Sequence, residues 1–500
     1  MNLLSGIILT VACKRKTFLE KKLKDAVLEQ KKIFQYLMEL YDGNDFAKKY
    51  GISSRETYEE FQKKVPVVTY EEFFPYIKRM LLGESGVVKA PSISTFAKSS
   101  GTTNAKSKYI PLTTNNLKHN HYQAGRDMIV WAVAEYRNTE FVHGKTIGTT
   151  GSFSVDPLYP HAHIGDVSAH LFHSLPWYAR RTRVADSDIM LHDSWQEKLV
   201  GIGSRAKQQD VRTLLGAPTW MIHIFDEVLK QTGKKTISHV WPKVSMFFHG
   251  AVRFDPYKKV IEEKIGRPID CMNIYNASEG FFGFQYKKEN ADQFVLLTHH
   301  DIFYEFISLA LFRAGSKEAI PLSLVTTGIE YVLVITTSGG LVRYVVGDTI
   351  RFVGTKPFVF VLTGRTKQCL NTFGEEVVLD NIEEALRETL EHFDLSVSGY
   401  TVAPEVFGDG KGRHVWAIEF VTNPENSEEF SVHLDQVLQK LNSDYEAKRT
   451  NNLVLSALSI EIVSKQAFMR WLEKRGKLGG QHKIPVITED ISMIKELKTY

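Results

Sequence analysis

The hydrophobic positions of this chain fall into two rhythms. Over residues 18–40, Leu23, Ala26, Val27, Gln30, Ile33, Phe34 and Leu37 recur on nearly one face, the spacing of a helix. The apolar run that opens the chain, LLSGIILTVA, is read as a first helix. Further on the rhythm changes. KTIGTTGS, KVSMFFHG, CMNIYNASEG, YVLVITTSGG and FVFVLTG are short, mostly apolar runs, and most end in glycine, serine or threonine. They predict buried strands that feed loops, and α/β proteins gather ligands at such strand ends.

A second change comes near Gly364. LDNIEEALRETLEHF aligns Leu379, Ile382, Leu386 and Leu390 and predicts an amphipathic helix. HLDQVLQKLNSDYEAKR predicts a second helix, with Leu434, Val437, Leu438, Leu441 and Tyr445 on one face. GRHVWAIEFV and LSALSIEIV predict strands, the latter by alternation at Leu458, Ile460 and Ile462. Helices alternating with strands over this length make a self-sufficient small α/β domain. The boundary falls at 363–366, giving an amino-terminal domain of 1–363 and a carboxy-terminal domain of 364–500.

Length agrees with that division, because 500 residues exceed the roughly 250–300 at which single cores stop growing. A net charge of +4, with the basic residues spread along the chain, does not point to a nucleic-acid partner. Cys13, Cys271 and Cys369 lie too far apart in sequence to read as a disulfide framework or a metal motif, which suits a reducing cytoplasm. The opening apolar run has its basic residues after it, the reverse of a secretory signal. No segment reaches the length of a membrane span.

Four stretches carry candidate chemistry. TFAKSSGTTNAKSKYIPLT, from Thr95 to Thr113, is small, hydroxylated and cationic, a combination that suits a polyphosphate as well as a solvated loop. It lacks the second glycine of G-x-x-x-x-G-K-[ST]. In YNASEG (275–280), Tyr275 has a face that can stack on a base, and Glu279 is an oxygen donor of the kind that holds Mg2+. A turn with a surface glutamate is the other reading. Asp348 ends VRYVVGD, where a fixed carboxylate can accept hydrogen bonds from a ribose diol, or a Gly-Asp hairpin turn can stand. Arg365 and Lys367, in TGRTKQCLNTFGEEV, offer cations at the proposed boundary, and Arg365 brings a rigid fork of donors. HAH (161–163) and THHD (298–301) have no third ligand at a fixed spacing and are read as polar loops. The cluster WYARRTR (177–183) is read as solvated surface charge, with carboxylate binding as its alternative.

The order of these motifs resembles the adenylate-forming superfamily. The spacing from Ser99 and Ser100 to Lys108, together with GGQHKIP near the carboxyl end, is similar to the Gretchen Hagen family of acyl acid amido synthetases. The resemblance runs from about residue 60 to about residue 490, and the chain reads as a non-plant homologue. Asn104 and Ala105 stand where the plant loop usually has two glycines.

The resemblance implies a large ATP- and acid-binding domain of mixed sheets and helices, followed by a small mobile α/β domain. It implies that Ser99, Ser100, Gly101, Thr102 and Thr103 wrap the phosphates of ATP, with Lys108 nearby. Tyr275 then sits against adenine, Ser278 and Glu279 near the α-phosphate and Mg2+, and Asp348 on the ribose. Arg365 contacts the nucleotide, Lys367 lies at the hinge, and Lys483 neutralises charge as the adenylate forms. The implied reaction joins a carboxylic acid to an amine, expected to be an amino acid, through an acyl-adenylate. The alternatives are an acid–thiol ligase that makes acyl-CoA and a non-catalytic nucleotide-binding protein.

Overall fold

The opening helical stripe runs through two helices, α1 (Leu3–Lys24) and α2 (Ala26–Tyr41). They meet at Asp25 (φ −87°, ψ 22°), where the backbone bonds Asp25 N–H to Lys21 O and Glu29 N–H to Asp25 O keep the two stripes in line. Leu23, Ala26, Phe34 and Leu37 are buried as the spacing predicts. Gln30, the polar member of the stripe, is buried and fully used. Its amide donates to Thr298 O and Ile302 O and accepts from Tyr304 N–H, so its burial carries no unpaired polar atom.

The computed structural model describes residues 3–88, 92–100, 107–192, 194–252, 254–366, 369–475 and 485–500. They divide into two compact units. The first holds Met1–Ser99, Tyr109–Ala251 and Glu262–Thr366, and the second holds Ser100–Lys108, Val252–Ile261 and Lys367–Tyr500.

Up to Arg365 the strands are, in chain order, β1 (Thr95–Ser100), β2 (Ser107–Leu112), β3 (Lys145–Gly148), β4 (Phe153–Ser154), β5 (His163–Gly165), β6 (Val211–Leu215), β7 (Met246–His249), β8 (Asp270–Asn276), β9 (Phe281–Gln285), β10 (Phe294–Leu296), β11 (Ile302–Ser308), β12 (Ile320–Pro321), β13 (Glu330–Thr337), β14 (Tyr344–Thr355) and β15 (Phe358–Arg365). The last two are a long antiparallel pair. Eleven strands form one mixed sheet in the order β12-β11-β13-β14-β15-β10-β9-β8-β7-β6-β3. Its β3-β6-β7-β8 portion is parallel, and the rest is antiparallel. All four residues of β7 are buried, as expected where a parallel sheet is covered on both faces. A second sheet has the order β2-β1-β5-β4. The runs read from sequence as KTIG, MFFH, YVLVITT and FVFVLTG are all strands.

The carboxy-terminal part adds β16 (Cys369–Leu370), β17 (Val377–Val378), β18 (Val397–Val406), β19 (Gly412–Phe420) and β20 (Ser459–Ile462). The predicted helix Leu379–Phe393 forms as expected. The second predicted helix is two, Ser427–Leu441 and Ser443–Arg449. Asn442 interrupts it in an extended conformation, and its side-chain oxygen accepts from Tyr445 N–H and so caps the second piece. The alternation at Leu458, Ile460 and Ile462 is also corrected. β20 is only four residues long and lies at the sheet edge beside β19, and Ile462 is exposed. No described helix is long and apolar enough to cross a membrane.

Candidate active site

β14 and β15 pair in antiparallel register with Asp348 directly opposite Arg365. Opposed residues of such a pair share one face, and Arg365 Nε donates to Asp348 Oδ1 at 2.8 Å. Tyr275, near the end of β8, donates its phenol hydrogen to the other oxygen, Asp348 Oδ2, at 2.5 Å. Gly347, with φ of +102°, precedes the aspartate in a conformation that side-chain-bearing residues rarely adopt. Gly347–Asp348 therefore lies inside a strand and is not a hairpin turn.

The carboxylate is held from two sides but not exhausted. Its two oxygens offer about four acceptor positions, and these two bonds use one on each oxygen. Tyr275 has its phenol pKa pushed well above the usual value, first by burial and then by the charge of Asp348. It stays protonated and serves as a fixed donor. Its ring packs on Phe282, Phe294 and Phe360 at centroid distances of 5.0–6.2 Å. At 7 % exposure it offers a base little surface, so the stacking expected of it has a physical competitor in this packing.

Ser278 and Glu279 sit in the tight turn between β8 and β9. Ala277 N–H bonds Gly280 O at 2.9 Å, and Gly280 N–H bonds Ala277 O at 3.3 Å. A Cβ on Gly280 would stand 2.5 Å from Ile302 Cδ1, so any side chain there would require the Ile302 side chain to shift. Asn120 clamps the far side of the turn, accepting from Phe281 N–H at 2.7 Å and donating to Phe281 O. Ser278 is half-buried and Glu279 is buried, so this turn does not carry a surface glutamate. The Glu279 carboxylate contributes to raising the pKa of Tyr344, second to burial. Its donor chemistry fits a hard cation such as Mg2+.

Ser99 is half-buried near the end of β1, Ser100 closes that strand, and Lys108 is buried in β2. Gly101, Thr102, Thr103, Lys367 and Lys483 lie outside the described residues. In the WYARRTR cluster, Trp177, Tyr178, Arg180 and Arg181 are exposed, in keeping with a solvated surface. Arg183 departs from that expectation: it is half-buried, its Nε is enclosed, and burial lowers its pKa. The histidines of HAH are exposed as well. Those of THHD are inside, beside an aspartate far away in sequence. Neither that grouping nor the Tyr275–Asp348 bond has a signature in spacing, because strand register and helix packing create both.

Three family models match the chain: the GH3 family N-terminal domain over residues 15–269, the GH3 family central domain over 295–365 and the GH3 family C-terminal domain over 380–491. Ser99–Lys108 falls in the first, Asp348 and Arg365 in the second, and Lys483 in the third. Tyr275, Ser278 and Glu279 lie between the matched segments. Indole-3-acetic acid-amido synthetase GH3.6 of Arabidopsis thaliana is 23% identical, across 94% of this chain and 90% of that protein. The solved structure of a GH3.15 acyl acid amido synthetase superposes with a TM-score of 0.60 at 20% identity, covering 97% of this chain and 95% of that one. A 2-hydroxyisobutyryl-CoA ligase, solved with its acyl-AMP and CoA, reaches a TM-score of 0.54 at 12% identity, covering 97% of this chain and 93% of that one. The fold is thus the mixed α/β fold of those ligases.

Proposed function

The chain belongs to the GH3 family, and we propose that it is an ATP-dependent acyl acid amido synthetase that joins a carboxylic acid to an amine, the amine being an amino acid. The observation that carries this reading is the Asp348 carboxylate, fixed by Tyr275 and Arg365 and still able to accept a ribose diol. In this reading Tyr275 acts by holding Asp348, while Arg365 also faces the nucleotide. Ser99, Ser100, Gly101, Thr102, Thr103 and Lys108 hold the phosphates. Ser278 and Glu279 face the α-phosphate, with Glu279 as the protein ligand of Mg2+. The ion supplies positive charge against the phosphate oxygens.

The chemistry then follows in two steps. A carboxylate oxygen attacks the α-phosphorus of ATP, a new oxygen–phosphorus bond forms, and pyrophosphate leaves. Positioning and cations near the developing charge carry most of such a reaction. The amine nitrogen next attacks the acyl carbon, AMP leaves, and the nitrogen releases a proton to solvent. Lys483 acts in the first step from the carboxy-terminal domain, residues 364–500. That domain moves about Lys367 so that one site serves both steps. Cys13, Cys271 and Cys369 are not joined in a disulfide among the described residues, which supports a reducing, cytoplasmic setting.

The shared fold with an acyl-CoA ligase keeps the acid–thiol reading open to test, and the loop spacing and the QHKIP ending favour the amide. The experiment is ATP–pyrophosphate exchange over a panel of carboxylic acids with Mg2+, followed by AMP release with amino acids or coenzyme A. Exchange with an acid, then AMP release with an amino acid and none with coenzyme A, is the expected result. Formation of ADP and phosphate would replace the adenylate with an acyl phosphate. Thioester formation alone would move the protein to the acid–thiol ligases.

A further inference from the structure

His299 and His300 adjoin in sequence, yet their rings lie together, with centroids 4.0 Å apart. Successive residues of a strand would face opposite ways. These two lie in the turn between β10 and β11, and Asp301, with φ of +61°, closes that turn in the left-handed region. The turn is pinned on every side. Thr298 O accepts from the Gln30 amide, His300 O accepts from the Asn120 amide at 2.8 Å, and Asp301 Oδ2 accepts from the Ser338 hydroxyl.

Asp127, on the helix Gln123–Tyr136, meets the pair. Its Oδ2 is 3.2 Å from His300 Nε2 and 3.7 Å from His299 Nε2. One ligand atom from each of the three residues lies within 4.8 Å of the others. The side chains are 5, 4 and 1% exposed for Asp127, His299 and His300. Buried polar atoms are normally hydrogen-bonded. Among the described residues, however, Asp127 Oδ2, His300 Nε2 and both ring nitrogens of His299 lack an aligned hydrogen-bond partner. His300 Nε2 stands within hydrogen-bonding distance of Asp127 Oδ2 but poorly aligned with it, so the three groups converge without a well-formed bond among them. Arg15 Nη2 donates to the other oxygen, Asp127 Oδ1, at 3.1 Å, which orients the carboxylate and leaves Oδ2 toward the histidines. A cavity of about 270 Å³ opens beside them, lined by His299, His300, His119, Tyr36 and Gln123.

We propose that Asp127, His299 and His300 form a binding site for one divalent transition-metal ion of the Zn2+ class, with an open coordination position facing that cavity. Two imidazole nitrogens and one carboxylate oxygen are a donor set for Zn2+ and its neighbours, whereas Mg2+ prefers oxygen alone. Three protein ligands with a vacant fourth position is the pattern of sites that bind a water or a small ligand on the metal. Arg15 is the outer partner that fixes the carboxylate.

The test uses the full-length protein, stripped with EDTA and dialysed, then titrated with Co2+ while its visible absorption is followed, and with Zn2+ by calorimetry. The expected result is one Co2+ per chain, displaced by Zn2+ and indifferent to excess Mg2+. Arg15→Ala is expected to lower Zn2+ affinity by about 10–100-fold, the range for an outer partner. His299→Ala and His300→Gln are expected to lower it further. Zn2+ is expected to raise the Tm of the wild-type protein and not that of His299→Ala. His299 has no aligned hydrogen bond to lose, so His299→Ala decides the matter even if His300→Gln does not fold. Binding well below one ion per chain, or an affinity unchanged by His299→Ala, overturns the site. These readouts do not involve adenylation and stand apart from the fate of that reading.

Discussion

Asp348 is the residue on which the nucleotide reading turns. It is expected to hold the ribose in every nucleotide state, so Asp348→Ala should weaken ATP and AMP alike, measured by calorimetric titration of each. Loss of ATP affinity with AMP affinity intact would take Asp348 off the ribose. Tyr275→Phe is the finer probe. It keeps the aromatic packing and removes one hydrogen bond to a charged acceptor, a class of bond worth about 1.5–3 kcal/mol. Stability in urea should fall by that order, and AMP affinity should fall less than in Asp348→Ala. If Tyr275 instead acted only by stacking, Tyr275→Phe would leave both nearly unchanged.

At the scale of elements, one buried ion pair joins helix and sheet. Arg343 donates through Nε and Nη2 to both oxygens of Glu305 on β11, at 3.0 and 2.8 Å. Its Nη1 reaches Gln62 O and Val65 O, at the end of the helix Tyr58–Lys64. The side chains of Arg343 and Glu305 are 3 and 0% exposed. Removing one partner of such a pair leaves a buried charge uncompensated, at a cost of about 3–5 kcal/mol. Glu305→Ala should therefore lower the urea unfolding free energy by that amount, and a loss below 1 kcal/mol would refute the account. Asn442 is a milder case. Besides capping Tyr445, its amide donates to Glu376 O and Asn381 Oδ1, both at 3.1 Å. Loss of a cap costs about 0.5–2 kcal/mol. Asn442→Ala should reach at least the upper part of that range in thermal or urea unfolding, because two further bonds go with the cap.

For the whole molecule, two buried histidines predict sensitivity to acid. Burial pushes His121 down to about 4 and His249 down to about 3. In the unfolded chain both titrate near 6.5. Between those values the unfolded state binds protons that the folded state refuses. Stability is therefore full above about pH 6.5 and is lost as the pH falls toward 4. Each group contributes a slope of up to about 1.4 kcal/mol per pH unit. Urea unfolding from pH 7.5 to 5 should show this decline, and His249→Gln should make it shallower. At the same scale, the mobile-domain reading predicts unequal effects on the two half-reactions. By analogy with loss of one charge-stabilising donor, Lys483→Ala should slow adenylation by roughly 10²–10³-fold. Attack of an amino acid on synthetic acyl-adenylate should suffer less. Equal losses in single-turnover assays would remove the case for a domain that acts in only one of them.

The order of amino acids determined by itself whatever depends on neighbours. The stripe at Phe34 and Leu37, the helix Leu379–Phe393 and the strands Lys145–Gly148, Met246–His249, Asp270–Asn276, Glu330–Thr337 and Phe358–Arg365 were legible because side-chain periodicity is set within a turn or a pleat. The motif order pointed to the family, because those loops carry their chemistry in short contiguous strings. Only the tertiary structure decided which distant groups meet. Tyr275 reaches Asp348 because β8, β14 and β15 lie in one sheet with Asp348 set against Arg365. Helix Gln123–Tyr136 brings Asp127 to His299 and His300, a pair that looked like a polar loop when read alone. The break at Asn442 and the exposure of Ile462 were equally hidden. A helical stripe does not record where a buried cap interrupts it, and alternation along a strand does not record whether anything packs against its second face.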